Sequence, residues 1–163
     1  MADSSVFDLI SRGVSLHEFA SIDPHLLSQC DKNKQTVLHA AVRANRLDLA
    51  EYILEREPIV NHGNIKSITP LHYAASNGNR DMILLLQRFG ARQLPTKYRH
   101  DLPIHCAIAA KHAHILDLLA DAIHESSASG TPLQMAMRYS ALKGSLACVE
   151  ALIRLGANIH LID

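Results

Sequence analysis

A motif that returns every 33 residues constrains this chain more than any other feature. Thr36-Val-Leu-His39-Ala-Ala and Thr69-Pro-Leu-His72-Tyr-Ala-Ala begin 33 residues apart, and Leu102-Pro-Ile-His105-Cys-Ala begins 33 after the second. A fourth copy, Thr131-Pro-Leu-Gln134-Met-Ala, arrives four residues early. Gly78 and Gly144 are nevertheless 66 apart, as are Gly90 and Gly156, so the second half of the fourth unit is back in register. A period of this length means one supersecondary unit repeated, each unit unable to bury its apolar face until a neighbour stacks on it. The early motif predicts a first helix longer by about one turn in unit four. The loop before it, from His124 to Gly130, is shortened by the same amount.

Each unit reads as two short helices. Thr36, Thr69 and Thr131 stand at the N-cap of the first helix, where a hydroxyl can accept an orphaned backbone N–H, and Pro70 and Pro132 occupy the first helical position, which needs no N–H. Leu102 cannot cap, so unit three is expected to use Asp101. The second helices carry apolar residues at three-to-four spacing, as in Met82, Ile83, Leu85 and Leu86, with Asn79 and Ser145 as caps and Gly90 and Gly156 as stops. Aligning Val14 to Ala20 on the segment Leu47 to Ile53 adds a divergent opening unit. The expected organisation is a single domain over 1–163, with that opening unit at 4–30 and four units at 31–63, 64–96, 97–127 and 128–160, the last with the lengthened first helix.

Thr69 to Ala75, then Gly78, then Gly90-Ala91, follow the pattern Thr-Pro-Leu-His-x-Ala-Ala, a glycine ten residues into the unit, and a closing Gly-Ala. On these residues the sequence resembles the ankyrin-repeat family. Unit two is nearly complete, units one and three depart modestly, unit four keeps its second half, and the opening unit matches weakly. Roughly 130 of the 163 residues carry the resemblance. It implies an all-α fold, an α-solenoid of stacked helix-turn-helix units with short β-hairpin or loop fingers, and a concave face made by fingers and first helices. It also implies a structural hydrogen bond to neighbouring backbone for His39, His72 and His105.

Nothing in the sequence asks to be an active site. Eleven histidines suggest metal, since neutral imidazole is a common zinc ligand, but three fall at one repeat position. His112 and His114, the best remaining pair, have no Cys-x-x-Cys or His-Glu-x-x-His beside them. Cys106 and Cys148 lie at packing positions, and Cys30 sits in a loop with no base nearby. There is no phosphate-binding glycine loop, nucleophile elbow or paired-carboxylate arrangement. No catalytic residue, cofactor or metal is expected.

Sixteen basic and sixteen acidic residues cancel, so no overall field draws the chain to nucleic acid or an anionic membrane. No apolar stretch approaches the roughly 20 residues of a bilayer span, the start lacks a secretory leader, and three scattered cysteines suit a reducing compartment. The cytoplasm is the expected location, or a host cytosol for a secreted effector. Charge is segregated locally. Lys32, Lys34, Lys66, Lys97 and Arg99 make the fingers basic against Asp31 and Asp101, whereas the second helices lean acidic through Asp48, Glu51, Glu55, Glu57, Asp81, Asp117, Asp121 and Glu150. A concave side of this kind favours an acidic partner protein; a solvated surface could show the same bias.

Carrying the family's contact positions over gives a candidate surface. In unit one it comprises Lys32, Asn33, Gln35, Arg43 and Ala44; in unit two Ile65, Lys66, Ile68, Ser76 and Asn77; in unit three Tyr98, Arg99, Asp101, Ala109 and Ala110. In unit four the carry-over fails, leaving Tyr139 and Lys143 as guesses. Ile65 and Ile68 beside Tyr98 and Arg99 are groups of the kind that anchor interfaces, with packing of Ile68 against the next finger as the alternative. The expected function is a non-catalytic protein–protein interaction module, with a second reading as the targeting arm of a larger enzyme or of a translocated bacterial effector. Leu146, Val149, Leu152, Ile153 and Leu155 crowd the last helix. Three explanations are open: an excised piece of a longer protein, docking of that end on another body, or Leu161 and Ile162 folding back over it.

Overall fold

The computed structural model describes residues 5–121 and 132–157. The shortened loop expected over 124–130, the Thr131 cap and the chain end at Leu161 and Ile162 lie outside the described residues. Helices alternate between two layers. The inner layer holds α1 (Val6–Ser11), α3 (Val37–Arg43), α5 (Pro70–Asn77), α7 (Pro103–Ala109) and α9 (Pro132–Leu142). The outer layer holds α2 (Leu16–Ala20), α4 (Leu47–Arg56), α6 (Arg80–Arg88), α8 (Leu116–Asp121) and α10 (Leu146–Arg154). Inner helices pack on inner helices and outer on outer along the whole row. Helices of five to eleven residues are too short to persist alone in water. Their stability comes from one continuous core that runs from Val6 and Phe19 through Leu54, Leu71, Ile83 and Ile108 to Leu152.

The helix starts are made by the histidines as much as by the threonines. His39 Nδ1 accepts the Thr36 backbone N–H at 3.0 Å and meets the Thr36 hydroxyl at 2.8 Å, while His39 N–H reaches Thr36 Oγ1 at 3.4 Å. His72 repeats this with the Thr69 N–H at 3.1 Å and its hydroxyl at 2.9 Å. Histidine thus takes the part that Glu or Gln plays in a capping box. An Nδ1 that accepts a backbone N–H carries no proton, so the proton sits on Nε2. From there His39 donates to the Ile68 carbonyl at 3.0 Å and His72 to the Asp101 carbonyl at 3.1 Å, each bond crossing to the next finger.

Two expected caps are corrected. At unit three the Leu102 N–H goes to His105 Nδ1 at 2.9 Å, so half of the box survives without a hydroxyl. Asp101 does not cap; its carboxylate is taken by Arg99 Nε at 3.1 Å. Ser145 makes no capping bond, whereas Asn79 does, accepting the Met82 N–H at 3.0 Å. The fingers are tight turns rather than hairpins, with one isolated bridge between Cys30 and Thr36 among the described residues. Left-handed residues at Lys34, Ser67 and His100 reverse the chain too quickly for a ladder to extend.

The turn after each inner helix from α3 onward also needs a left-handed residue, filled by Asn45, Gly78, Lys111 and Gly144, each 33 apart. At Gly78, with φ of 68°, an added Cβ would lie 2.7 Å from the His112 ring. Gly78→Ala therefore lowers stability by at least about 1–2 kcal/mol. Lys111→Gly relieves the same strain at φ 62°. Less the ~0.5–1 kcal/mol of extra chain entropy that glycine loses, it should gain roughly 0.5–1 kcal/mol. Urea unfolding of both variants checks the pair; a loss in Lys111→Gly would contradict it.

Candidate functional site

The finger turns rest on one device used twice and varied once. Asp31 Oδ1 accepts the N–H groups of Asn33 and Gln35, each at 2.8 Å, and Asn64 Oδ1 accepts those of Lys66 and Ile68 at 2.9 and 3.1 Å. In the third finger Thr96 Oγ1 accepts the Asp101 N–H at 3.0 Å. Burial alone would raise the Asp31 carboxyl, but these bonds hold it below its ordinary value. The fingers are then joined edge to edge, with Ile65 N–H donating to the Asn33 carbonyl and Lys97 N–H to the Lys66 carbonyl, both at 3.0 Å.

Between fingers two and three, above α5 and α7, lies a groove of about 470 Å³. Six of the residues singled out from the sequence line it: Lys66, Ile68, Ser76, Tyr98, Arg99 and Asp101. Tyr98 is 71% exposed, and Lys97 Nζ lies 5.5 Å from its ring centre. Ile68 is half-buried, between its two alternatives. A second groove, of about 330 Å³, lies between the opening helices and finger one and takes in Gln35 and Arg43 with Asp31 and Ala44. Tyr73 separates the two grooves. Its hydroxyl donates to Gln35 Oε1 at 3.2 Å, and the Arg43 guanidinium lies 5.6 Å from its ring centre.

Lys32, Asn33, Ile65 and Asn77 line neither groove. Lys32 and Ile65 are exposed on the fingers, Asn33 lends its carbonyl to finger two, and Asn77 Nδ2 donates to the Val42 carbonyl at 3.2 Å. Ala109 and Ala110 are exposed at the end of α7. In unit four Tyr139 packs edge-on against the His105 ring at 5.2 Å, with Lys143 Nζ 5.3 Å from its ring centre. Sequence reasoning missed Tyr73 and Cys106, which line the large groove. Both occupy the variable position of the motif, aligned with Ala40 in the second groove. Those three residues 33 apart were the signal.

Four outer-layer arginines pair with carboxylates, two of them across units. Arg80 holds Asp117 at 2.9 Å, Arg88 holds Glu51 at 2.9 Å, and Arg46 holds Asp48 at 2.7 Å. Lys32, Lys34, Lys66 and Lys97 on the fingers have no ion pair among the described residues. No group of three histidine, cysteine or acidic side chains could hold a metal ion among the described residues. Burial pushes the Cys106 thiol up to about 11, which leaves it protonated and unreactive at neutral pH. No described helix is long and apolar enough to cross a membrane.

Two layers of short helices, with turns joined along one edge and grooves between them, define a repeat-built scaffold for recognition. The chain belongs to the ankyrin-repeat family: the pattern for three copies of the repeat matches residues 13–95, and that for a single ankyrin repeat matches 130–163. It is similar to the tyrosine-protein kinase HTK16 of Hydra vulgaris, at 30% identity over 134 residues, covering 77% of this chain and 17% of the kinase. It is also similar to the human palmitoyltransferase ZDHHC17, at 40% identity over 65 residues, covering 39% of this chain and 10% of that protein. The crystal structure of the human ASB11 ankyrin repeat domain superimposes with a TM-score of 0.72 at 26% identity, over 95% of this chain and 70% of that one. The chain thus spans under a fifth of either curated relative. Ankyrin repeats are generally protein-interaction modules, and the fold is typically non-catalytic.

Proposed function

We propose that this chain is a non-catalytic protein–protein interaction module, which binds a partner protein with an acidic patch on the concave surface made by its fingers and first helices. The observation that carries this is the partition of charge. Arg46, Arg56, Arg80 and Arg88 of the outer layer are paired with neighbouring carboxylates, while the finger lysines have no ion pair among the described residues. Unpaired surface cations raise the association rate for a partner of opposite sign. The fingers are held by their Asx turns and by the histidine bonds between units, so little ordering is lost on binding. Cys30, Cys106 and Cys148 as free thiols suit a cytoplasmic setting.

The test is an affinity pull-down read by mass spectrometry, comparing the wild type with Tyr98→Ala/Arg99→Ala. Loss of two anchor-type side chains should reduce capture of the specific partner about tenfold or more. Both are exposed, so the melting temperature should move by no more than about 2–4 °C. Capture that is unchanged rules this surface out. A second reading, the targeting arm of a larger enzyme, draws on the kinase and the palmitoyltransferase, in which the similar segment is a small fraction of the whole. The intact mass of the endogenous protein separates the two.

A further inference from the structure

We infer that the groove between fingers two and three takes a short extended acidic segment of the partner, with one aromatic side chain on its floor and a flanking carboxylate held by Lys66 and Arg99. This rests on the reading above and narrows it from a face to one groove and one peptide chemistry.

The charge count selects an acidic occupant. Two cations, Lys66 and Arg99, line the groove against the single carboxylate of Asp101. That carboxylate is already ion-paired with Arg99, its oxygen 3.1 Å from Arg99 Nε. The Arg99 side chain is 70% exposed, and its two terminal amino groups have no partner among the described residues. Lys66 is likewise without an ion pair among them. Any occupant without a negative charge leaves the one excess positive charge, two cations against one carboxylate, uncompensated while removing it from water. The second groove gives the contrast: its lining carries one cation, Arg43, and one carboxylate, Asp31, so it has no excess charge and should show no preference for acid.

The floor selects an apolar or aromatic anchor. Ile68 and Cys106 are half-buried and Tyr73 presents its ring from the wall. With its proton retained, the Cys106 thiol behaves as a small apolar side chain. A volume of about 470 Å³ falls within the ~300–1,000 Å³ typical of ligand pockets.

The backbone selects how the segment is read. The Lys66 carbonyl is taken by Lys97 N–H and the Asp101 carbonyl by His72 Nε2. Strand addition to the finger edge therefore has no free row of donors and acceptors at this point, and recognition falls to side chains.

The test uses the full chain, labelled with nitrogen-15, and three synthetic fluorescent peptides in which a central Phe is flanked by Glu, by Gln or by Lys. At low salt the Glu peptide should bind about tenfold more tightly than the Lys peptide, with the preference shrinking as salt rises. The amide shifts should centre on Lys66, Tyr73, Tyr98 and Cys106. Lys66→Glu, at an exposed finger position, should remove or invert the preference. Equal affinities, no binding up to about 1 mM peptide, or shifts confined to Gln35 and Arg43 would each overturn the assignment. If the pull-down partner is still lost by Tyr98→Ala/Arg99→Ala, such a failure removes the acidic-peptide assignment and leaves the broader binding surface standing. If the Glu peptide binds here while that partner is unaffected, the broader reading fails instead.

Discussion

Leu71→Ala lowers the free energy of unfolding by about 2–5 kcal/mol, whereas Leu84→Ala, thirteen residues later, changes it by no more than about 0.5 kcal/mol. The chemistry of the two substitutions is identical and the repeat geometry makes the difference. Leu71 is 1% exposed on α5, which packs between α3 and α7. The equivalent side chains one repeat to either side, Leu38 and Ile104, are also buried. Truncation at Leu71 opens a void at two unit interfaces together, and in a quasi-one-dimensional stack no distant contacts compensate. Leu84 is 45% exposed on α6, among Met82, Ile83, Leu85 and Leu86 that supply the core. Urea unfolding followed by far-ultraviolet circular dichroism at constant slope measures both. Equal effects, or a loss below about 0.5 kcal/mol at Leu71, would mean that the register of α5 is wrong.

The register was legible because the motif marks it with residues of restricted use. Pro70 at a helix start and Gly78, Gly90, Gly144 and Gly156 at left-handed turns announce themselves. Lys34, Asn45, Ser67, His100 and Lys111 adopt the same left-handed backbone, yet a non-glycine gives no such warning. That is why the sequence left the fingers open between hairpins and loops and did not single out the closed turns. Asp101 looked like a cap since it precedes a helix, but a cap depends on where the carboxylate points, and Arg99 two residues earlier attracts it. The candidate surface was partly legible for a related reason. Residues on finger tips and at the ends of first helices could be placed by spacing alone, and Lys66, Ile68, Ser76, Tyr98, Arg99 and Asp101 converge on one groove. Which of them would be free to meet a partner could not be placed that way. The Asn77 amide is committed to Val42 and the Gln35 amide to Asp31 and Tyr73, bonds that join residues from 4 to 38 positions apart. Tyr73 went unnoticed because Ala40 and Cys106, at the same repeat position, are so unlike it in size.

Acidification from pH 6.5 towards 4.5 should destabilise the stack steeply, and the inter-unit histidines set that window. Burial first, then the nearby His62 and His72 rings, push His39 from 6.5 down to about 4, against the opposing bond to the Ile68 carbonyl and the charge of Asp31. Burial also lowers His72 and His105, against the raising influence of Asp101 on each. A histidine with a depressed folded-state pKa binds fewer protons native than unfolded, so its contribution is fully present above 6.5 and is lost as the pH falls towards the folded value. For His39 the interval of roughly 2.5 units corresponds to about 3 kcal/mol once the pH reaches 4. His72 and His105 act in the same direction. The geometry supplies the cause: a second proton on His39 would have to sit on Nδ1, which already accepts the Thr36 N–H and meets its hydroxyl. Charging the ring therefore breaks a helix cap while the bond from Nε2 to finger two strains to hold. Asp31, Asp48 and Asp117, whose carboxyls are held below their ordinary value, lose their contributions at lower pH, and Glu18, lowered by its bonds to Ser15, begins to lose its own only near the bottom of the window, which leaves the upper part diagnostic. Urea unfolding at half-unit steps should show stability falling through this window. His39→Gln should start less stable at pH 7.5 and fall with a shallower slope. A flat profile between 6.5 and 4.5, or an unchanged slope in His39→Gln, would rule out the histidine bonds as the origin.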